Sequence, residues 1–216
     1  MGVILEVSGQ YALFSRPELK VERVSYDMIT PSAARGLLEA IYWHPGIRWR
    51  IDRIHVMEPI RFVNIRRNEV SAKLSAANAL TVMKGSNEPL NISTTANIQQ
   101  RASLLLRDVR YVIEAHFDLT EATASDDNAD KFYAIIMRRI QKGQCFHQPY
   151  LGCREFPADV RAVENPIGKA AYEGERDLGF MLYDMDYSDP ADISPRFFRA
   201  VLRDGVLDLS GVEVFQ

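Results

Sequence analysis

The chain has 216 residues, 47% of them hydrophobic, with a net charge of −3 and a pI near 5.9. That is enough apolar material for one large domain, or one domain with a smaller companion. It excludes a generally basic nucleic-acid binder, and no apolar run reaches the roughly 20 residues that span a bilayer. Two cysteines, Cys145 and Cys153, are too few for a disulfide scaffold and lack metal-site spacing. The start, Met1 to Glu6, lacks the basic and apolar regions of a signal peptide, so a reducing cytoplasm is the expected setting. The average charge hides an asymmetry. Residues 1–154 hold 20 Lys and Arg against 16 Asp and Glu, a balance of +4, and residues 155–216 hold 6 against 13, a balance of −7. A local basic surface on the first part is therefore allowed, although an ordinary solvated surface explains the charge equally well.

Val3 to Val7 reads as a buried strand. Pro31 to Trp43 reads as a helix, with Thr30 as N-cap, Pro31 in the first turn, and Leu37, Leu38 and Ile41 on one face. Pro45 ends it. From Ile47 to Val63 the pattern is strand-like. Ile47, Trp49 and Ile51 alternate with Arg48, Arg50 and Asp52; then the phase slips, and Ile54, Val56, Ile60 and Phe62 point inward. A one-residue slip predicts a bulge near Asp52-Arg53. Residues 64–103 are polar and weakly periodic, which predicts a long loop, functional or disordered. Arg107 to Leu119 is the clearest strand, with Val109, Tyr111, Ile113, Ala115, Phe117 and Leu119 on one face and Arg110, Glu114, His116 and Asp118 on the other. Asp126 to Lys142 is the clearest helix, acidic at its start, basic at its end and closed by Gly143. A strand near Tyr150 follows. Beyond it, Leu178 to Tyr187 reads as a strand, Pro195 to Arg203 as a short helix and Asp204-Gly205 as a turn.

This order predicts an α+β fold: a ferredoxin-like, RRM-like βαββαβ domain over residues 1–154, with a small C-terminal appendage over residues 155–216. In such a domain the helices cover one sheet face, and the other can stay open for RNA.

His116 is the leading candidate for chemistry, because alternation puts an imidazole on the polar face of a strand and its ordinary pKa of about 6.5 suits proton transfer. A solvent-facing surface histidine fits the same pattern. Glu114, two residues away on that face, is expected either to orient the ring or simply to raise its pKa. Tyr42 is placed either to pack beside the core or to project over a sheet edge toward a ribose, and His44 divides between inert exposure and a role beside it. From Arg48 to Lys73 there are seven basic residues and three acidic ones. Arg48, Arg50, Arg66, Arg67 and Lys73, interleaved with Trp43, Trp49 and Phe62, match a pattern of phosphate contacts plus stacking, although tryptophans in such a stretch are more often core. Double-stranded DNA is a further partner that the same basic stretch could take. The nucleotide-binding, metalloprotease and serine-hydrolase motifs are missing, as is a carboxylate cluster of the two-metal kind; no metal and no cofactor is expected. RNA can be cut without either, since its own 2′-hydroxyl can attack.

Several segments resemble one family: Gly9-Gln10-Tyr11-Ala12-Leu13-Phe14-Ser15-Arg16-Pro17, Ser25-Tyr26, Pro31 to Gly36, Ala40 to Pro45, Arg66 to Val70, Glu114-Ala115-His116-Phe117 and Gly152 to Phe156. They run in order from end to end and are similar to the CRISPR-associated endoribonuclease of subtype I-C systems, the d-type of the fifth Cas family in the RAMP superfamily. The resemblance implies a ferredoxin-like domain with a β-rich C-terminal part. It also implies metal-independent cleavage of CRISPR repeat hairpins in precursor crRNA, and retention of the 5′ handle within a Cascade complex beside its backbone and large subunits. The family's tyrosine falls on Tyr42 and its histidine on His116. Its lysines after the Tyr-Trp pair and before Ala-His are His44 and Glu114 here, which leaves the third catalytic role to His44 or an arginine. A non-catalytic subunit that binds the 5′ handle is the alternative.

Overall fold

The structure is a computed structural model, and it describes residues 2–19, 21–163 and 167–216. Its spine is β5 (Ile98–Leu119), a strand of 22 residues. The C-terminal half of β5 pairs antiparallel with β1 (Gly2–Ala12) on one edge and with β3 (Ile47–Val56) on the other, so Ile113 sits between Leu5 and Ile54. A short strand, β6 (Asp159–Ala162), continues the sheet beyond β1, and a two-residue strand, β2 (Arg23–Val24), runs parallel to β5 at Ser103 and Leu104. Two helices cover one face. α1 (Pro31–Ile41) begins where the Thr30 hydroxyl accepts from the Ala33 N–H and Pro31 supplies a preset first turn. α3 (Ala129–Gln141) begins where the Asn128 side chain accepts from the Lys131 N–H. Leu37, Leu38 and Ile41 of α1 and Phe132, Ile136 and Ile140 of α3 bury against Leu5, Val7, Trp49, Ile113 and Phe117 of the sheet. Each such side chain contributes roughly 1.5–3 kcal/mol on leaving water.

The C-terminal strands lengthen this sheet. β7 (Glu175–Asp186), β8 (Ser194–Arg203) and β9 (Val206–Asp208) run antiparallel, and β9 hydrogen-bonds to the free edge of β3, giving the path β6-β1-β5-β3-β9-β8-β7. The added strands reach α1 as well. Arg35 donates from Nε and Nη2 to the two carboxylate oxygens of Asp184 on β7, at 3.0 and 2.8 Å, and from Nη1 to Glu39 at 2.7 Å. The result is a mixed α/β chain dominated by one large antiparallel sheet with few helices.

Four sequence expectations are corrected. Residues 64–103 are no structureless loop: β4 (Phe62–Val70) pairs in register with the first half of β5, and α2 (Ala76–Met83) lies between them. β4 alternates half-buried Ile65, Arg67 and Glu69 with exposed Asn64, Arg66 and Asn68. Its period is carried by polar side chains, which hydropathy does not register. β3 ends at Val56, so Ile60 and Phe62 lie beyond it; Ile60 still packs inward against the core, whereas Phe62 is 42% exposed at the start of β4. Pro195–Arg203 is a strand, with Phe198, Ala200 and Leu202 fully buried at period two; the spacing of Arg196, Arg199 and Arg203 imitates a helical face. Asp204 (φ 49°) and Gly205 (φ 75°) then turn it into β9. Tyr150 makes only an isolated bridge to Pro157, and the edge strand lies further on as β6. The slip at Asp52-Arg53 is present: Ile51 opposes Ala115 and Arg53 opposes Glu114, with Asp52 extra.

Gly152 of the Gly-Cys-Arg-Glu-Phe segment holds φ +84°, and a Cβ there would sit 2.0 Å from the Leu13 carbonyl oxygen. Gly152→Ala is therefore expected to destabilise the fold by about 2 kcal/mol or more, read as a lowered urea midpoint at unchanged slope. Wild-type stability in that variant would contradict the close approach.

Candidate functional site

Strand alternation sorts the sheet residues by face. Phe117 points to the helices and meets Trp49 edge-on, ring centroids 5.6 Å apart, and Phe132 at 6.4 Å. Its neighbour His116 therefore points the other way, onto the face the helices leave open. Register places Arg50 opposite His116, Arg53 opposite Glu114 and Asp208 opposite Arg53. The outcome is a ladder of paired charges. Arg50 donates to Asp118 at 3.1 Å, Arg53 to Asp208 at 3.0 Å, His55 Nε2 to Glu114 at 2.6 Å and Arg110 to Glu58 at 2.8 Å. Asp208 also accepts from the Ser210 hydroxyl and N–H; with Arg53 these hold its carboxyl down to about 2.

His116 is fixed by Asp52. Its Nδ1 lies 2.8 and 2.9 Å from the two Asp52 oxygens. A carboxylate only accepts, so Nδ1 carries the proton and a neutral ring presents an unprotonated Nε2. The bulge makes this possible: it puts Asp52 and Arg53 on the open face in succession, one aimed at His116 and the other at Asp208. The bulge's spare carbonyl, Asp52 O, accepts from the Leu209 N–H at 2.9 Å. The His116 side chain is 40% exposed, so solvent reaches the ring. Glu114 does not orient it, against expectation, because Glu114 is engaged by His55. The bulge is legible in the sequence; its consequence, that Asp52 is the partner of His116, is not.

Tyr42 and His44 lie on the helix side. The Tyr42 ring packs against Phe132, with the Arg139 guanidinium 5.0 Å from its centroid, and the ring is buried. Burial raises the pKa of the phenol, against the pull of Arg139, so the hydroxyl is a donor at neutral pH rather than a base. His44 stacks parallel to Tyr42 at 6.3 Å, touches Phe132 at 5.0 Å and accepts the Gly46 N–H on Nδ1. The three predicted catalytic residues thus form two groups, Tyr42 with His44 and His116 with Asp52, on opposite faces of one sheet end. A groove of about 580 Å³ wraps that end, from Pro45 past Arg48 and Arg50 to Asp118 and Thr120. Asp118 stands 3.7 Å from His116 Nε2.

The predicted RNA-contacting residues also divide. Arg48 and Arg50 line the groove, while Arg66 and Lys73 are exposed on the β4–β5 arm. Arg67 is committed elsewhere: it pairs with Glu155 and stands 3.7 Å from Glu69, with Nε and Nη2 buried. Trp43 is 60% exposed. Among the described residues no group of three His, Cys, Asp or Glu is arranged to hold a metal ion, and no helix is long and apolar enough to cross a membrane.

The site is a helix-backed antiparallel sheet with a charged open face and a histidine held by a carboxylate. Comparison with known proteins gives the family. The model Cas_Cas5d, described as CRISPR-associated protein (Cas_Cas5), matches residues 2–209, and the chain belongs to that family. It is 47% identical over 211 residues to the CRISPR pre-crRNA endoribonuclease Cas5d of Mannheimia succiniciproducens, covering 95% of this chain and 93% of that protein. It is 39% identical over 222 residues to the protein of that name from Thermus thermophilus, covering 95% and 90%. A crystal structure of a CRISPR-associated protein superposes with TM-score 0.71 at 25% identity, over 100% of this chain and 97% of that one. A chain of a CRISPR RNA-guided surveillance complex shares the fold, with TM-score 0.55 at 13% identity over 96% and 90%.

The two hydrogen bonds assign opposite neutral tautomers, Nδ1–H in His116 and Nε2–H in His44. Nitrogen-edited imidazole spectra at about two pH units above the ordinary histidine pKa of ~6.5 are expected to show both forms. An Nε2–H signal from His116 would break the Asp52 assignment.

Proposed function

We propose that this protein is an endoribonuclease that cuts CRISPR precursor RNA at its repeat hairpins, in the cytoplasm and without a metal ion, and then holds the 5′ handle as a subunit of a Cascade assembly with its backbone and large subunits. The observation that carries the reading is the kinship, over nearly the whole chain, with two proteins named as pre-crRNA endoribonucleases. The local geometry supports a chemistry for it. His116 Nε2 takes the proton of a ribose 2′-hydroxyl. The freed oxygen attacks the adjacent phosphorus and displaces the 5′-oxygen, which takes a proton from solvent water, leaving a 2′,3′-cyclic phosphate and a 5′-hydroxyl; the imidazolium later returns its proton to solvent. Asp52 holds the ring and stabilises the imidazolium that forms. Arg48 in the groove faces the phosphate charge, beside Arg50 in its pair with Asp118. Tyr42 and His44 position RNA that wraps the sheet end. The succession β1-α1-β3-β5-α3-β6, with sheet order β6-β1-β5-β3, supports a ferredoxin-like βαββαβ reading of this unit, its fourth strand lying just past residue 154.

The test is cleavage of a cognate repeat hairpin in EDTA with the product ends mapped. His116→Ala is expected to lose about 100-fold or more in kcat, and Asp52→Asn about tenfold with KM unchanged. Tyr42→Phe, which keeps the ring packed, is expected to cost less than His116→Ala; equal losses would mean that RNA draws phenol and imidazole onto one phosphate. Intact RNA at high protein concentration would leave a non-catalytic handle-binding subunit, the reading that Glu114 in place of the family's lysine favours.

Binding is expected to weaken with salt. Arg66→Ala should reduce the slope of log K against log salt by roughly one. Arg67→Ala should leave the slope nearly unchanged, because its charge is already taken up by Glu155 and Glu69. An unchanged slope for Arg66→Ala would move the RNA path off the β4–β5 arm.

A further inference from the structure

The turn that ends α1 sends three consecutive rings in different directions. Tyr42 goes into the helix layer and His44 folds back on it, while Trp43 stands out in solvent. Trp43 lines a second cleft of about 660 Å³ together with Phe146, His147, Tyr150 and Arg154. Phe146 is 68% exposed and Tyr150 40%. This is a costly way to display large aromatics, and they are held in place. The N–H groups of Phe146 and His147 both donate to the Ala40 carbonyl at the end of α1, at 2.9 and 3.0 Å. The His147 ring meets Phe146 edge-on at 4.3 Å. Glu39, the acid on this wall, is neutralised by Arg35. Arg154 is exposed and brings the cleft a cation. The volume falls within the roughly 300–1,000 Å³ of small-molecule sites.

We infer that this cleft is a stacking site for unpaired nucleobases, with Trp43 and Phe146 as the platforms and Arg154 placed for the phosphate that joins the bases. Exposed rings that accept any base face, plus one cation for the backbone, are the requirements of single-strand binding. An apolar protein segment would use the rings but gain nothing from the cation and the flanking histidine. The inference rests on the reading of the ligand as RNA. It places the strand leaving the hairpin on the helix side, against the end of α1, and not on the open sheet face.

The protein supplies its own probe. Of its two tryptophans, Trp49 is 3% exposed and Trp43 60%, so fluorescence quenching by a stacked base reports Trp43. Titration with a 12-nucleotide oligoadenylate, followed by both fluorescence and the anisotropy of an end label, is expected to show quenching that tracks binding. Phe146→Ala should weaken binding roughly tenfold while hairpin cleavage chemistry stays intact at saturating RNA. An abasic oligomer of the same length should bind without quenching. Binding by anisotropy with unquenched Trp43, or quenching by the abasic oligomer, would overturn the stacking site alone if the hairpin is still cut. No binding of any RNA would overturn both readings and leave the cleft a protein-docking surface.

Discussion

Everything positional in this molecule follows from the double pairing of β5. Its first half belongs to β4 and its second half to β1 and β3, and the changeover falls at Asp108, where φ is +53°. A strand paired on both edges has no freedom to slip, because a one-residue shift would turn Phe117 outward and His116 into the helix layer. The apolar wedge of Phe117, Trp49 and Phe132 therefore fixes the orientation of the imidazole on the opposite face. Burial on one side of the sheet sets the chemistry available on the other.

On the open face the constraint is electrostatic. The ion pairs there are partly solvated, and such pairs are each worth at most about 1 kcal/mol. Their importance is in order, not stability. Each cation of the ladder has an assigned carboxylate, and the assignment leaves one carboxylate, Asp52, for His116. The bulge is the device that makes the count come out. It gives β3 two successive open-face residues where a regular strand would give one, and the C-terminal segment closes over it through Leu209. β9 and the catalytic candidate are thus coupled through a single irregularity.

Many of the residues that carry the family resemblance turn out to be architectural. Arg35 clamps β7 to α1 through Asp184. The Ser25 hydroxyl accepts from Phe14 N–H and donates to the Tyr26 carbonyl, while Arg16 stacks over the Tyr26 ring at 4.6 Å and pairs with Asp27 at 2.9 Å. Gly152 admits the Leu13 carbonyl. Arg16, Ser25, Tyr26 and Gly152 hold the corner between β1 and the segment before α1, and Arg35 ties α1 to β7.

The sequence by itself determined the parts whose periodicity is written in apolar side chains: β1, α1, β3 with its slip, the second half of β5, α3, and the exposure of His116. It also carried the family, through short segments in a fixed order. It did not determine β4, whose alternation is polar, or β8, whose arginines mimic a helical spacing. Nor could it decide which carboxylate meets His116, because Glu114 and Asp52 are equally near in pattern and only the sheet register separates them. The separation of Tyr42 from His116 was likewise beyond it. Both residues belong to the same end of the fold, but the side of the sheet each occupies depends on long-range packing of α3 against β3 and β5, which local sequence does not encode.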